Sequence, residues 1–371
     1  MIDLVRAARD VADLVEAHAD ASERQRKIPT PVVKALRDAD LLRMCVPVAY
    51  GGPEVDPLSM VQAIETISAA DGAAGWCTMI ASTTSSLSAF LPPETAKEMF
   101  ANRRNVSGGV FAPNGTGCAV DGGWRVSGAW NWGSGTQHCQ YIVGGTRLDD
   151  DFRLMFFDAS DVRIHDTWHT SGLRGTGSNE FSVTEVFVPA ERTMSARGAR
   201  PTVETPLASF PTFTLLAVGV AAVALGLARR AIDEFTELAV DKRPQFSRRT
   251  LAQAGTNQTD LARAEARVRA ARAFLLGEVA DAWEGALNGD GVELDSRVRI
   301  RLAGAHAVES SIAAVDSVYT MAGGTAIFDT SQLQRCLRDI HVVSQHIMVS
   351  PRLYETLGKH LFGAEIDSST I

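Results

Sequence analysis

Cysteine is scarce in this chain, and the few cysteines form no recognisable site. The five cysteines are scattered, odd in number and include no Cys-x-x-Cys pair. A disulfide framework needs an even set of cysteines, and a zinc site needs closely spaced Cys or His ligands. We therefore expect no bound metal and a reducing, cytoplasmic compartment. The positions are Cys45, Cys77, Cys118, Cys139 and Cys336.

A surplus of positive charge and an apolar run of membrane length are also missing. The 371 residues have a formal net charge of −8, whereas proteins that bind nucleic acid concentrate Lys and Arg on one surface. The apolar run 213–228 is shorter than the ~20 residues that cross a bilayer, and Arg229 and Arg230 follow it. The first residues lack the apolar core of a secretion signal. We expect a core helix over the run, and neither nucleic acid nor a membrane as partner.

Three zones of different periodicity divide the chain. Apolar residues recur at helical spacing in the first and last zones, and from Leu261 to Ala282 they repeat every seven residues, as in a helix bundle. The middle zone has short apolar runs separated by Gly, Asn and Asp, which is typical of strands and turns. The sequence therefore predicts an α+β fold, mainly α, with an N-terminal helical domain (1–104), a central β-domain (105–200) and a C-terminal helical bundle (201–371).

Four stretches, in this order, resemble the acyl-CoA dehydrogenase superfamily. They are 41–52 (LLRMCVPVAYGG), 122–141 (GGWRVSGAWNWGSGTQHCQY), 168–189 (WHTSGLRGTGSNEFSVTEVFVP) and 333–346 (LQRCLRDIHVVSQH). Within the superfamily the chain is most similar to the two-component flavin-dependent (group D) aromatic monooxygenases. The resemblance implies a central antiparallel β-barrel, a C-terminal four-helix bundle and a homotetramer.

The segment around Ser134 is the first candidate for a flavin site. A flavin needs a flat apolar wall and hydrogen-bond partners for its ring, and Trp132, Ser134 and Gly135 follow one another at a predicted strand end. A hydroxyl can bond the central ring nitrogen, and glycine lets the backbone approach the ring. The resemblance makes Ser134 the serine that contacts the flavin. A plain hairpin turn is the structural alternative.

The loop 172–180 is the second candidate. Its glycines follow a Gly-x-x-Gly-x-Gly order that is neither the dinucleotide fingerprint nor a phosphate-binding loop. Arg174 and Ser178 are candidate contacts for flavin or substrate, and a tight structural loop is the alternative.

Arg243 and Phe246 resemble a family motif, Arg-x-x-Phe-Gly, whose arginine binds the pyrophosphate of FAD in a neighbouring subunit. A guanidinium suits a phosphate because it donates two hydrogen bonds in a fork. Here Ser247 replaces the glycine. This departure leaves FMN or FAD open as the cofactor, and a solvated basic loop is the alternative interpretation.

The proton-handling group decides between two chemistries. Oxidation of an acyl-CoA needs a carboxylate to remove the α-proton. The family's two positions for that carboxylate are empty here, since no acid follows Asp339 before Glu355 and none lies between Glu204 and Asp233. The resemblance instead places His346 against the flavin. An imidazole can deprotonate a phenol or hydrogen-bond a flavin hydroperoxide near neutral pH.

These observations predict a flavin-dependent monooxygenase. Reduced flavin (FMN or FAD) would come from a separate flavin reductase, and molecular oxygen would hydroxylate an aromatic or other apolar small molecule, with Ser134 and His346 as catalytic residues. Two alternatives stay open at this point. One is an acyl-CoA dehydrogenase or a degenerate subunit of one, and the other is a non-catalytic protein that keeps the flavin fold.

Overall fold

Helices begin the described part of the chain. The computed structural model describes residues 3–149, 151–196, 198–368 and 371. Aspartates cap several of these helices: Asp56 and Asp71 accept the backbone N–H of Ser59 and Ala73, at 2.9 and 3.1 Å. The N-terminal helices are α1 (Leu4–Ala17), α2 (Ala19–Gln25), α3 (Thr30–Asp38), α4 (Pro57–Ala70), α5 (Gly72–Ser85) and α6 (Pro93–Phe100).

The central zone is one open sheet of seven strands among the described residues. The strands are β1 (Ser107–Val120), β2 (Gly123–Gly133), β3 (Tyr141–Arg147), β4 (Phe152–Asp158), β5 (Arg163–His165), β6 (Asn179–Pro189) and β7 (Thr193–Ser195). Their spatial order is β5-β6-β2-β1-β3-β4-β7, and β1 runs parallel to β3 while the other neighbours are antiparallel.

The predicted antiparallel barrel is therefore wrong, although the predicted strands are present. The two edge strands, β5 and β7, have three residues each and lie at opposite edges of the sheet. Such short edges cannot supply the paired ladder that closes a barrel. The domain boundaries at residues 104 and 200 stay a prediction.

The C-terminal zone is helical, as predicted. Helices α7 to α10 pack on one another, and α7 also packs on α4 and α5. The seven-residue repeat in α8 is buried at Val268, Leu275 and Ala282. The helices are α7 (Thr212–Asp241), α8 (Gly255–Asn288), α9 (Leu294–Ala322), α10 (Gln332–Val343) and α11 (Leu353–Leu361).

Helix α7 contains the long apolar run. By length and composition alone it could cross a membrane, but 89% of its most apolar window is buried inside the protein. A membrane span would present that surface to lipid. The burial fits the core helix that the sequence predicts.

Candidate active site

The end of strand β2 presents an exposed aromatic ring beside a buried hydroxyl. Trp132 has a φ of 69° and is 68% exposed. A left-handed conformation at a bulky residue is strained, and such strain collects at functional sites. Two residues later Ser134 is buried, and Gly135 has a φ of 67°. The polypeptide thus turns just after strand β2, and the flat apolar ring of Trp132 is exposed to solvent.

Four side chains and one carbonyl form a chain of hydrogen bonds through Ser134. Trp76 Nε1 on α5 donates to Ser134 Oγ at 2.9 Å. Ser134 Oγ lies 2.7 Å from Ser178 Oγ, which lies 2.6 Å from Thr176 Oγ1. Thr176 Oγ1 donates to the carbonyl oxygen of Leu173 at 2.8 Å. The sequence candidates Ser134 and Ser178 are therefore in direct contact.

The Leu173 carbonyl at one end fixes which group donates in each of these hydrogen bonds. A carbonyl oxygen can only accept a hydrogen bond, so the Thr176 hydroxyl donates its single proton to the Leu173 carbonyl oxygen. Ser178 must then donate to Thr176, and Ser134 must donate to Ser178. Ser134 also accepts from Trp76, which leaves it with one acceptor position and no free proton. Its remaining capacity suits a ligand that carries an N–H or O–H donor.

The loop that carries Ser178 is held by helix α10. Leu173 and Gly177 both adopt left-handed conformations, with φ of 47° and 52°. The N–H of Leu173 donates to Asp339 Oδ1 at 2.6 Å. Gly172 packs so closely on α10 that a Cβ there would lie 2.2 Å from the carbonyl oxygen of Arg338. The loop is thus both strained and tightly fixed.

His346 lies beside Trp76, beyond the end of helix α10. Helix α10 ends at Val343, and His346 begins the next short turn. Its ring meets the Trp76 ring edge to face, with centroids 5.5 Å apart. The Met348 N–H donates to His346 Nδ1 at 3.3 Å, which assigns the ring proton to Nε2. Burial, together with the charge of Arg301, lowers the pKa of His346 to about 4, so the ring is neutral at physiological pH.

Three further candidates from the sequence are not brought to Ser134 by any contact among the described residues. Arg174 donates to the carbonyl oxygen of Thr170 at 3.0 Å. Arg243 donates to the carbonyl oxygen of Arg248 at 2.9 Å, in the loop between α7 and α8. Phe246 in the same loop is 100% exposed and has a φ of 64°. Their proposed roles need a ligand or a second subunit.

Among the described residues, no carboxylate is hydrogen-bonded to the side chain of Trp76, Ser134, Ser178 or His346. An acid in contact with His346 would be needed to orient the ring as a strong base. The neutral His346 is instead a hydrogen-bond donor through Nε2.

Sequence reasoning missed Trp76, Thr176 and Leu173, and it gave Asp339 no role in the site. Trp76 had one signal, because it is the one large aromatic residue in a helix composed mainly of Ala, Gly, Ser and Thr. A large ring among small residues indicates a specific partner. Thr176 and Leu173 act through a hydroxyl and a carbonyl in a loop, and no spacing rule reveals such a contact.

The chain matches two family models over most of its helical parts. The acyl-CoA dehydrogenase N-terminal domain model matches residues 3–98, and the acyl-CoA dehydrogenase C-terminal domain model matches residues 218–351. The chain is similar to indole-3-acetate monooxygenase from Pseudomonas putida, with 34% identity over 98% of this chain and 93% of the relative. It is also similar to the flavin-dependent monooxygenase, oxygenase subunit HsaA, from Rhodococcus jostii, with 31% identity over 95% and 96% of the two chains.

Solved structures give the same family. The crystal structure of 3-HSA hydroxylase from Rhodococcus sp. RHA1 superposes with a TM-score of 0.93, at 29% identity over 100% of this chain and 99% of the other. XiaF from Streptomyces sp., solved in complex with FADH2 and glycerol, superposes with a TM-score of 0.92, at 25% identity over 98% and 95% of the two chains. By this similarity over its whole length, the chain belongs to the flavin-dependent monooxygenases of the acyl-CoA dehydrogenase superfamily, a group whose members include two-component oxygenase subunits.

Proposed function

We propose that this protein uses reduced flavin and molecular oxygen to hydroxylate an aromatic or other apolar small molecule, with a separate reductase supplying the flavin. Relatives that carry such names support the substrate class, among them p-hydroxyphenylacetate 3-hydroxylase, oxygenase component, from Acinetobacter baumannii, 26% identical. The observation that carries the proposal is the hydroxyl chain. It leaves Ser134 as a hydrogen-bond acceptor beside the exposed ring of Trp132.

These residues fit a flavin in its reduced form. The central ring nitrogen of a flavin carries a hydrogen only when the ring is reduced, so only the reduced ring matches an acceptor at Ser134. Trp132 would supply the apolar wall, and Gly135 leaves room for the ring edge. Bound reduced flavin supplies the electrons that activate oxygen, and the protein contributes binding, orientation and exclusion of water.

We assign His346 the role of hydrogen-bond donor to the reacting oxygen or to the substrate hydroxyl. A base whose pKa is lowered to about 4 is too weak to remove a phenol proton efficiently. The Nε2–H, by contrast, is directed by the bond at Nδ1 and needs no change of protonation. Of the two roles that the sequence left open, the donor role fits this geometry.

The α7–α8 loop belongs, in this proposal, to a neighbouring subunit's site. Arg243 would bind a flavin phosphate there, and Phe246 would pack on the neighbour. A fully exposed phenylalanine in a left-handed conformation is costly unless a partner covers it. Arg174 and Ser178 would complete the cofactor contacts. The assembly would be a homotetramer in the cytoplasm, and either FAD or FMN would serve.

An anaerobic titration tests the proposal. We expect the purified protein to bind reduced flavin at least about tenfold more tightly than oxidised flavin, which corresponds to about 1.4 kcal/mol. With oxygen and a panel of phenols and indoles, we expect hydroxylated product and little hydrogen peroxide. Ser134→Ala should lose the preference for reduced flavin, whereas Ser127→Ala, within strand β2 and bonded to Glu185, should keep it.

Two outcomes would contradict this function. Tight binding of oxidised flavin together with oxidation of acyl-CoA thioesters would favour a dehydrogenase. Failure to bind either form of flavin would favour a protein that keeps only the fold.

A further inference from the structure

We infer that Asp339 is a positioning residue that fixes the direction of the hydroxyl chain ending at Ser134, and with it the choice between reduced and oxidised flavin. This inference rests on the proposed function. Asp339 touches none of the candidate flavin contacts itself. It acts through Leu173, whose N–H it accepts at 2.6 Å.

Leu173 connects Asp339 to the hydroxyl chain. Its N–H is bound by Asp339, and its carbonyl oxygen receives the Thr176 hydroxyl that sets the direction of the chain. Both groups belong to one left-handed residue with a φ of 47°. A leucine in that conformation is strained, so the surrounding contacts must hold it there. The bond to Asp339 is one such contact, and it is charge-assisted when the acid is ionised.

Loss of this bond would free the Leu173 N–H and remove one of the contacts that hold the residue, whose carbonyl oxygen also accepts Trp168 Nε1 at 3.0 Å and the Thr176 N–H at 3.1 Å. If the Leu173 carbonyl turned away, the Thr176 hydroxyl would be free to donate to Ser178 instead. Ser178 would then donate to Ser134, and Ser134 would offer a proton to the ligand. A donor at this place suits the oxidised ring, whose central nitrogen only accepts. The direction of three hydroxyl groups therefore depends on how firmly Leu173 is held, and the Asp339 carboxylate is one of the groups that hold it.

The surroundings of Asp339 make this bond sensitive to pH. Asp339 is 4% exposed. Burial raises its pKa to about 7; Asp71 from the α4–α5 turn and Glu23 from α2 also raise this pKa, and the Leu173 N–H and Arg338 oppose them. Cys336 on the same helix is near as well, and burial raises the pKa of its thiol. The carboxyl group therefore loses its proton as pH rises through neutrality, and the bond to Leu173 strengthens.

A variant series separates the hydrogen bond from the charge. Asp339→Leu removes the acceptor, and Asp339→Asn keeps an acceptor oxygen without a charge. Asp316→Asn is the matched control, because Asp316 also bonds a residue of α10, His341, but lies exposed and far along the chain from the loop. Trp76 reports on the chain in the absence of flavin, since its indole N–H donates to Ser134.

The first measurement uses protein labelled with fluorotryptophan and a Trp76→Phe variant to assign the signal. We expect the Trp76 resonance to move in Asp339→Leu, and to stay close to wild type in Asp339→Asn and Asp316→Asn. In the wild type it should shift with a midpoint near pH 7, and this step should shrink in Asp339→Asn. An unchanged Trp76 signal in Asp339→Leu, or an unchanged pH step in Asp339→Asn, would overturn the inference.

The second measurement compares the affinities for reduced and oxidised flavin in anaerobic buffer. We expect Asp339→Leu to reduce the affinity ratio about tenfold, and Asp339→Asn to restore most of it. A purely structural role would weaken both affinities equally and leave the ratio unchanged, which would overturn the inference. If Asp339→Leu does not fold, the pH dependence of the ratio in Asp339→Asn decides the question.

The two measurements also separate this inference from the proposed function. If the protein bound no flavin, the proposed function would fail while the Trp76 signal still tested the chain. If it bound reduced flavin preferentially and the variants kept that preference, only the role of Asp339 would fail.

Discussion

Ser134 is a hydroxyl that could donate or accept, and its surroundings decide which. The Leu173 carbonyl, three hydrogen bonds away from Ser134, determines that the serine hydroxyl donates to Ser178. A serine at this place would be uninformative if it were exposed, because water would let it do both. Buried with Trp76 and Ser178, it presents a single remaining acceptor.

Ser178→Ala tests this at the level of one atom. The variant removes the group that takes the Ser134 proton, so Ser134 regains a free donor. We expect the ratio of reduced to oxidised flavin affinity to fall by about tenfold, as measured by anaerobic titration. Ser182→Ala, which removes a hydroxyl bonded to His165, is the control and should leave the ratio unchanged. A normal ratio in Ser178→Ala would contradict the assigned direction.

His346→Asn tests the donor role. Asparagine keeps an N–H donor and cannot act as a general base at any pH. We expect hydroxylation to continue with a loss of about tenfold or less, and His346→Leu to lose more than that. The measurement is product formed against hydrogen peroxide released. Equal and severe losses in both variants would show that His346 works as a base.

Helices α4, α5 and α7 pack closely at glycine residues, and this packing sets the position of Trp76. A Cβ at Gly75 on α5 would lie 1.9 Å from Ser68 Oγ on α4, and one at Gly226 on α7 would lie 2.5 Å from the carbonyl oxygen of Glu65. Backbone and short side chains cannot yield to such a Cβ. The position of α5, and so of Trp76, depends on these approaches.

Gly226→Ala and Gly277→Ala form a matched pair. Both glycines lie inside long helices, where alanine is intrinsically better by about 1 kcal/mol. A Cβ at Gly277 on α8 would meet no other atom within 4 Å, so we expect Gly277→Ala to stabilise the protein. Gly226→Ala should destabilise it by about 1–3 kcal/mol through overpacking. Urea unfolding of both variants measures the two effects, and equal shifts would contradict this account of the packing.

At the scale of the whole molecule, two buried acids and two half-buried histidines make the stability depend on pH in opposite directions. Burial raises the pKa of Asp71 to about 6 and that of Asp339 to about 7. Burial also lowers the pKa of His138 and His346 to about 4. The folded protein thus holds the protons of its acids more tightly than the unfolded chain does, and those of its histidines less tightly.

The direction of each pH effect on stability follows from how many protons the folded and unfolded states bind. Between about pH 4 and 7 the two acids are more protonated in the folded state, so their contribution to stability falls as pH rises through this window. The histidines are less protonated in the folded state, so their contribution to stability falls as pH drops from about 6.5 to 4.

We expect His346→Asn to lose less unfolding free energy than the wild type between pH 6.5 and 4.5, by on the order of 1 kcal/mol. Asp339→Asn should flatten the decline on the neutral side. Urea titrations across this range measure both, and parallel curves for all three proteins would contradict the assignment.

The order of helical, strand and helical zones and the family were determined by the sequence alone, and the sequence also singled out the Ser134 segment, whose role stays a prediction. Periodicity and local turn residues carry that information, because each is set by neighbours along the chain. The open sheet was not, since closure depends on the length and pairing of the edge strands β5 and β7. Nor was the turn beyond Val343 that places His346 beside Trp76. Only the tertiary structure joins Trp76, Ser134, Ser178 and Asp339, because hydrogen bonds between distant segments follow from how α5, α10 and the sheet pack and leave no pattern in the sequence.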